Sequence, residues 1–224
     1  MYCESCGQKN NEDSKFCRHC GSKIDSGSST KEEKSSTKIK KTAKSITLWD
    51  KFAEIYDSRN EERKEFTDQS SNEAWELINR LSTNTFENYI QLHKEALNTQ
   101  PYKALEVIKS AFSLSTSGGY FMWMAEYLLK NSKLTKLQSI NLDEFIKEWD
   151  KVAVEDYSLS FQKIPEETSN SLNTFFNFQF NNILENAPSL KELELEIIEA
   201  LKTQLILLIV GGYHIGVCES KHRN

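Results

Sequence analysis

Four cysteines near the N-terminus have the spacing of metal ligands. Cys3 and Cys6 form one C-x2-C pair, Cys17 and Cys20 form a second, and a glycine follows each pair. Two intervening residues let a tight turn point both thiolates at one ion, and the glycine lets backbone amides approach the sulfurs. Four thiolates complete a tetrahedral zinc site and leave no open position for water or substrate. The pattern therefore predicts one structural Zn2+ bound by Cys3, Cys6, Cys17 and Cys20.

Other chemistries can use paired cysteines, and three alternatives stay open. An iron site needs similar thiolates. A redox-active dithiol of the thioredoxin type opens a helix after a strand, whereas here the pair is duplicated with glycine behind each copy. His19, inside the second pair, could replace one cysteine as a ligand, or it could be an exposed residue of the turn.

Residues 1–24 resemble the short zinc-ribbon domain found at the N-terminus of bacterial proteins, on the pattern C-x2-C-G…F-C-x2-C-G, with Phe16 beside Cys17. The resemblance implies a small β zinc ribbon over residues 1–24, folded by its metal. In that family the ribbon often precedes a membrane segment or an unrelated helical domain, and it usually serves as an interaction or sensing module. The resemblance covers about a tenth of the chain and names no partner.

Residues 25–46 are rich in serine, threonine and lysine, with almost nothing to bury. This composition predicts a disordered linker. The linker carries a net charge of +3, while the whole chain carries −5 and residues 47–224 carry −9. A run of lysines at 34, 38, 40, 41 and 44 could attract nucleic acid or anionic lipid, or could only keep the linker solvated. The acidic remainder argues against a large nucleic-acid footprint.

Residues 47–224 show apolar side chains at helical spacing and no alternation typical of strands. They predict an all-helical domain of about seven or eight helices, so that the chain is mainly α. Capping-box signals predict helix starts at Ser70, Asn84, Asn141 and Ser189, and Pro101 and Pro165 suit first turns. Gly118 and Gly119 predict a break. We expect no repeat of fixed period.

The segment Leu205–Val210 reads LILLIV and continues through Gly211 and Gly212. A spanning helix needs about 20 apolar residues, and this run is bounded by charged side chains. The segment therefore predicts a buried core helix rather than a membrane span. The chain has no pattern of a secretory signal, and its cysteines suggest a reducing compartment, so we expect a cytoplasmic protein.

His214, Cys218 and His222 recur every four residues and could share one face of a helix, with Glu219 nearby. They could bind a second metal, but the adjacent glycines weaken a continuous helix there, and the simpler reading is a frayed C-terminus. Trp123 and the phenylalanines between 175 and 180 could line an apolar pocket or form the core.

No residue outside the cysteine module identifies itself as catalytic. The chain has no phosphate-binding loop, no dinucleotide fingerprint, no G-x-S-x-G and no H-E-x-x-H. Three functions remain: an adapter that binds a protein partner, a nucleic-acid-associated regulator using the ribbon and the linker, and an enzyme or small-ligand binder with a pocket in the helical domain. The first is our prediction, and a membrane partner is not expected.

Overall fold

The computed structural model describes residues 46–57, 67–158 and 164–223. These residues form the helices α1 Leu48–Tyr56, α2 Asn72–Leu92, α3 Lys94–Leu97, α4 Tyr102–Asn131, α5 Leu142–Ser158, α6 Glu166–Asn186, a 3-10 helix Pro188–Glu192 and α7 Leu195–Ser220. They contain no strand, only an isolated bridge between Leu137 and Arg223. The prediction of a mainly helical chain is confirmed for these residues, and the predicted β ribbon lies outside them.

Polar side chains fix the first turns of three helices. Thr47 and Asp50 form a reciprocal capping box at α1, with backbone-to-side-chain distances of 3.1 and 3.3 Å. At α2 the cap is Ser71, whose Oγ accepts from the amide of Ala74 at 2.9 Å, so the start predicted at Ser70 is off by one residue. At α5, Asn141 accepts from the amide of Glu144, as expected from its capping signal.

Two helices continue through positions where local sequence predicts a boundary. Helix α2 runs past Asn84 and Glu87 without interruption, and α4 runs past Gly118 and Gly119 for a length of 30 residues. Both glycines are buried, and a side chain at either position would collide with a neighbouring helix. Close packing between helices therefore offsets the unfavourable helix propensity of glycine, about 1 kcal/mol relative to alanine.

The last helix begins later and ends later than predicted. Residues 188–192 form a 3-10 helix, and α7 starts at Leu195 rather than after Ser189. It then continues through its glycines to Ser220, so the prediction of a frayed C-terminus is wrong. Leu205, Leu208 and Val210 of the apolar run are buried in the core, as expected. None of the described helices combines the length and apolar character needed to cross a membrane.

Helices α4 and α7 pack on each other at the centre of the fold. They run in the same direction, since their N-terminal halves share one apolar cluster and their C-terminal halves share another. Their glycines meet at matching levels: a Cβ on Gly119 would lie 1.8 Å from the carbonyl oxygen of Ile209, and a Cβ on Gly212 would lie 1.9 Å from that of Thr116. Backbone therefore touches backbone at the crossing, which no residue larger than glycine permits.

Two apolar clusters fill the two ends of the bundle. One joins the N-terminal halves of α4 and α7 to the C-terminal ends of α2 and α6, and contains Tyr89, Ile108, Phe112, Leu201 and Leu205. The other joins the C-terminal halves of α4 and α7 to α1, α5 and the starts of α2 and α6, and contains Phe52, Tyr120, Phe145, Phe175 and Ile215. The indole Nε1 of Trp149 in α5 donates to the carbonyl of Gly211 at 3.0 Å, which fixes α5 on α7.

Candidate functional site

The predicted zinc ligands Cys3, Cys6, Cys17 and Cys20 lie outside the described residues, as does His19. The zinc site therefore stays a prediction from the sequence. The described residues of the helical domain contain polar clusters, and each is a candidate for a further site.

Glu219 is a fully buried carboxylate near the end of α7. Its Oε2 accepts from the hydroxyl of Tyr120 at 2.7 Å, and from the backbone N and the Oγ of Ser71 at 3.3 and 3.1 Å. Its Oε1 accepts from Nε of Arg223 at 3.1 Å and from Nη2 of the same guanidinium. Oε2 thus connects α7 to α2 and α4, while Oε1 binds the cation that follows α7.

Arg223 links Glu219 to two further segments. Its Nη1 donates to the carbonyl of Thr135 at 2.9 Å, and its Nη2 donates to the carbonyl of Gln69 at 2.8 Å. The planar guanidinium has five N–H donors, so it can hold a carboxylate and two carbonyls at once. Because the side chains of Arg223 and Glu219 are both shielded from solvent, this ion pair is largely protected from salt.

Glu126 on α4 forms a second cluster of the same kind. Its Oε2 accepts from the hydroxyl of Tyr213 at 2.7 Å and from Oγ1 of Thr168 at 2.9 Å, and its Oε1 accepts from Nζ of Lys130. Burial alone would raise the pKa of Glu126, but the hydrogen bonds from Lys130, Tyr213 and Thr168 outweigh it and hold that pKa below its ordinary value. The carboxylate is therefore ionised at neutral pH.

These two clusters fit a structural role rather than catalysis. Burial and the nearby charge of Glu219 raise the pKa of Tyr120 well above its ordinary value, so its hydroxyl stays a proton donor. Each carboxylate is already occupied by donors from neighbouring helices. A reacting group would have to displace those bonds.

The hypothesis of a second metal site at His214, Cys218 and His222 is not supported by the described residues, which contain no group of three or more His, Cys, Asp or Glu side chains that could hold an ion. Glu148 lies 3.4 Å from Nε2 of His222, and Lys221 binds the other oxygen of the same carboxylate. Although the burial of Glu148 acts to raise its pKa, Lys221 and His222 hold that pKa below its ordinary value.

Cys218 is fully buried, and burial raises the pKa of its thiol to about 12. A thiol in this state is neither a ready nucleophile nor a ready metal ligand, because both roles need the thiolate. Glu219, expected near such a site, is instead bonded to Ser71, Tyr120 and Arg223.

The structure supports only part of the hypothesis that Trp123 and the phenylalanines between 175 and 180 line an apolar pocket. A crevice of about 200 Å3 between α6 and α7 is lined by Phe176, Leu172 and Ile206 among others. Sites for small ligands usually enclose about 300–1,000 Å3, so this crevice is small for that purpose. Phe175 and Trp123 are buried in the core instead.

An open groove of about 680 Å3 lies where the end of α2 meets the start of α7. Residues 91–96 line one side, and Glu194, Glu196 and Ile197 line the other. Leu92, in its wall, is 77% exposed, and Leu195, between the two glutamates, is 74% exposed.

Sequence reasoning did not single out Glu126, and it named Glu219 only as a neighbour of the hypothetical second metal site. Glu126 and Glu219 each interrupt an apolar stretch, and each lies seven residues after a Gly-Gly pair and six after a tyrosine. The recurrence of that spacing was the available signal. It was overlooked because the glycines were interpreted as breaks.

Comparison with known proteins identifies the N-terminal segment alone. A family model described as a zinc-ribbon domain matches residues 2–24. This confirms the resemblance inferred from the cysteine pattern. Neither the curated proteins nor the solved structures contain a match to the chain.

Proposed function

We propose that the chain is a zinc-ribbon adapter: Cys3, Cys6, Cys17 and Cys20 bind one structural Zn2+, and the helical domain binds a protein partner. The observation that carries the proposal is the zinc-ribbon match over residues 2–24, which includes all four cysteines. Four thiolates fill the coordination sphere, so the metal stabilises the ribbon and carries out no reaction.

The partner surface that we propose is the groove at the end of α2 and the start of α7. It offers the exposed Leu92 beside Glu95, Glu194 and Glu196, against the single cation of Lys94 among its lining residues. This surface suits a protein segment with an apolar side chain next to basic residues. The net charge of −9 over residues 47–224 disfavours nucleic acid as the ligand of the domain.

Elemental analysis of the purified full chain tests the metal part. We expect a ratio of zinc to protein near one. Replacing Cys3 and Cys17 together with serine should reduce it to near zero, whereas Cys218→Ser should leave it unchanged. A ratio near zero in the unaltered chain, or iron in place of zinc, would show that the proposed cofactor is wrong.

Direct binding tests the docking part. A partner captured by the full chain would be purified, and its affinity measured for Leu92→Glu, Leu195→Glu and, as control, Phe178→Glu, which alters an exposed aromatic residue on α6. We expect the two leucine variants to lose about tenfold or more in affinity and the control to lose little. Equal affinities for all three would refute this surface. Binding abolished by added salt and unaffected by the leucines would favour the lysine-rich linker.

A further inference from the structure

A sequence pattern occurs twice in the helical domain, once in each central helix. Gly118, Gly119, Tyr120, Glu126 and Lys130 in α4 correspond to Gly211, Gly212, Tyr213, Glu219 and Arg223 at the end of the chain. Every corresponding pair is 93 residues apart. The same interval separates the first residue of α4, Tyr102, from the first residue of α7, Leu195.

The hydrogen bonds of the two patterns are reciprocal. Tyr120 of α4 donates to Glu219 of α7, and Tyr213 of α7 donates to Glu126 of α4, in both cases at 2.7 Å to Oε2. In both patterns, Oε1 of the glutamate binds the cation that follows four residues later. A two-fold rotation that exchanges α4 and α7 reproduces this arrangement.

The outer helices follow the same relation. Ser71 at the start of α2 donates to Glu219, and Thr168 in the first turn of α6 donates to Glu126. These two residues are 97 positions apart, four more than the interval of 93 between the central helices. Four residues make about one helical turn, so Ser71 and Thr168 still lie on equivalent sides of their helices. Helices α2 and α6 have 21 residues each.

The pairing also extends to α1 and α5. Asp50, Phe52 and Asp57 have identical counterparts 93 residues later, at 143, 145 and 150. Phe52 and Phe145 are both buried in the same apolar cluster. The domain thus consists of a first repeat, α1 to α4, and a second repeat, α5 to α7, joined by residues 132–139.

The repeats differ where they meet on the rotation axis. Trp123 of α4 corresponds to Gly216 of α7, and a Cβ on Gly216 would lie 2.2 Å from the indole of Trp123. Two copies of the first repeat would place tryptophan against tryptophan at this point, and two copies of the second would leave a gap between glycines. The contact therefore fits unlike repeats and disfavours like ones.

We propose that the crossing face of each repeat is an interaction surface whose partner is the complementary repeat, and that the helical domain is a fused dimer of two such units. The face consists of the glycines at the crossing, the tyrosine and glutamate of each central helix, and the Trp123–Gly216 contact. The proposal concerns how the domain is assembled and does not depend on the proposed adapter function.

The two-fold relation makes a geometric prediction. Arg223 corresponds to Lys130, and Ile140 corresponds to Thr47. The distance from Arg223 to Thr47 must therefore equal the distance from Lys130 to Ile140, which residues 131–139 already span. A full chain with exchanged repeats, in the order 1–46, 140–224, 132–139, 47–131, should therefore fold. We expect unchanged helical circular dichroism and a cooperative thermal midpoint lowered by about 5–10 °C, since Arg223 loses its bond to Thr135.

A control chain has the same exchanged order, but the connection between the two repeats is flexible and three times as long as residues 132–139. Folding of both chains supports the proposal. Folding with the long connection alone would show that the two distances differ, and failure of both would show that the halves are not complementary units. Either result would overturn the proposal.

Exchange of the two axis residues provides a second test in the native chain order. Trp123→Gly and Gly216→Trp should each lower the urea midpoint, the second severely. The double variant should regain part of the loss, because the rotation presents the new tryptophan to an equivalent space beside Tyr213. Pairing Trp123→Gly with Gly212→Trp, which meets the backbone of Thr116, should regain nothing. Equal instability of the two double variants would contradict the assignment of the axis.

Discussion

The hydroxyl of Tyr120 lies 2.7 Å from Oε2 of Glu219, which is 99 residues further along the chain and fully buried. Removal of this donor in Tyr120→Phe leaves a buried carboxylate with one bond fewer. We expect a loss of about 1.5–3 kcal/mol in the free energy of unfolding, measured by urea denaturation. Tyr127→Phe is the control, since its hydroxyl meets only the neutral Oγ1 of Thr135 and should cost about 0.5–1.5 kcal/mol. If both variants lost the same free energy of unfolding, the charge of Glu219 would not strengthen its hydrogen bond with Tyr120.

Substitution by alanine should reduce stability by different amounts at two neighbouring glycines of α4. At Gly119 the new Cβ meets the carbonyl of Ile209, which cannot move without shifting α7, so Gly119→Ala should cost about 3 kcal/mol or more. At Gly118 it meets the ring of Phe175, which can rotate or shift, so Gly118→Ala should cost less. Both variants gain the same helix propensity, and their difference in thermal stability isolates the helix crossing. A larger loss for Gly118→Ala would contradict the backbone contact.

Glu126 should contribute to acid sensitivity. Its folded-state pKa is lower than the unfolded value of about 4.3, so its stabilising effect is complete above that value and is lost as the pH falls through the folded pKa. Glu126→Gln should therefore lower stability at pH 7 and flatten the decline in acid. Glu199→Gln, at an exposed carboxylate 2.7 Å from Lys202, is the matched control and should leave the curve nearly unchanged. If the stability of Glu126→Gln declined in acid as steeply as that of the unaltered chain, the prediction would be wrong.

Cys218 should be unreactive until the helical domain unfolds. The pKa of its thiol is raised by burial to about 12, so the native state keeps the proton while the unfolded thiol ionises near pH 8.5. Stability should consequently fall as the pH rises above about 8.5. In the chelated native chain, a thiol reagent should modify four of the five cysteines, and the fifth only in denaturant. Cys218→Ala should abolish the slow fifth reaction, and five fast reactions in the unaltered chain would contradict burial.

Removal of zinc should leave the helical domain folded. Residues 25–46 have the composition of a flexible linker, and the four predicted ligands all precede them. Chelation should therefore release one zinc while the helical circular dichroism and the thermal midpoint stay nearly constant. A marked loss of helicity would mean that the metal contributes to the stability of the domain.

The periodicity of apolar residues predicted the helical class well, because burial of one face dominates the stability of a helix. Local signals were less reliable for the boundaries. Asn84 and Glu87 have the form of a capping box but lie within α2, where the backbone bonds of the helix are already made. The paired glycines of α4 and α7 have poor helix propensity, yet the contact between the two backbones requires them.

The carboxylate clusters could not be derived from local propensity, since each joins residues far apart in the chain. Ser71 and Glu219 are 148 positions apart, and only the packed helices bring them to 3.1 Å. The recurrence of Gly-Gly-Tyr with a glutamate six residues after the tyrosine was visible in the sequence. Interpreting those glycines as breaks concealed both the clusters and the duplication.

The burial of Trp149, whose indole donates to the carbonyl of Gly211, has a spectroscopic consequence. All four tryptophans of the chain, at positions 49, 75, 123 and 149, belong to the helical domain, and residues 1–46 have none. Trp123 and Trp149 are almost completely shielded from water, so their fluorescence should be blue-shifted in the native state and move to the red on unfolding. Tryptophan emission therefore follows the helical domain alone, while a zinc-sensitive dye follows the release of the metal. One titration can observe both without covalent labelling of the protein.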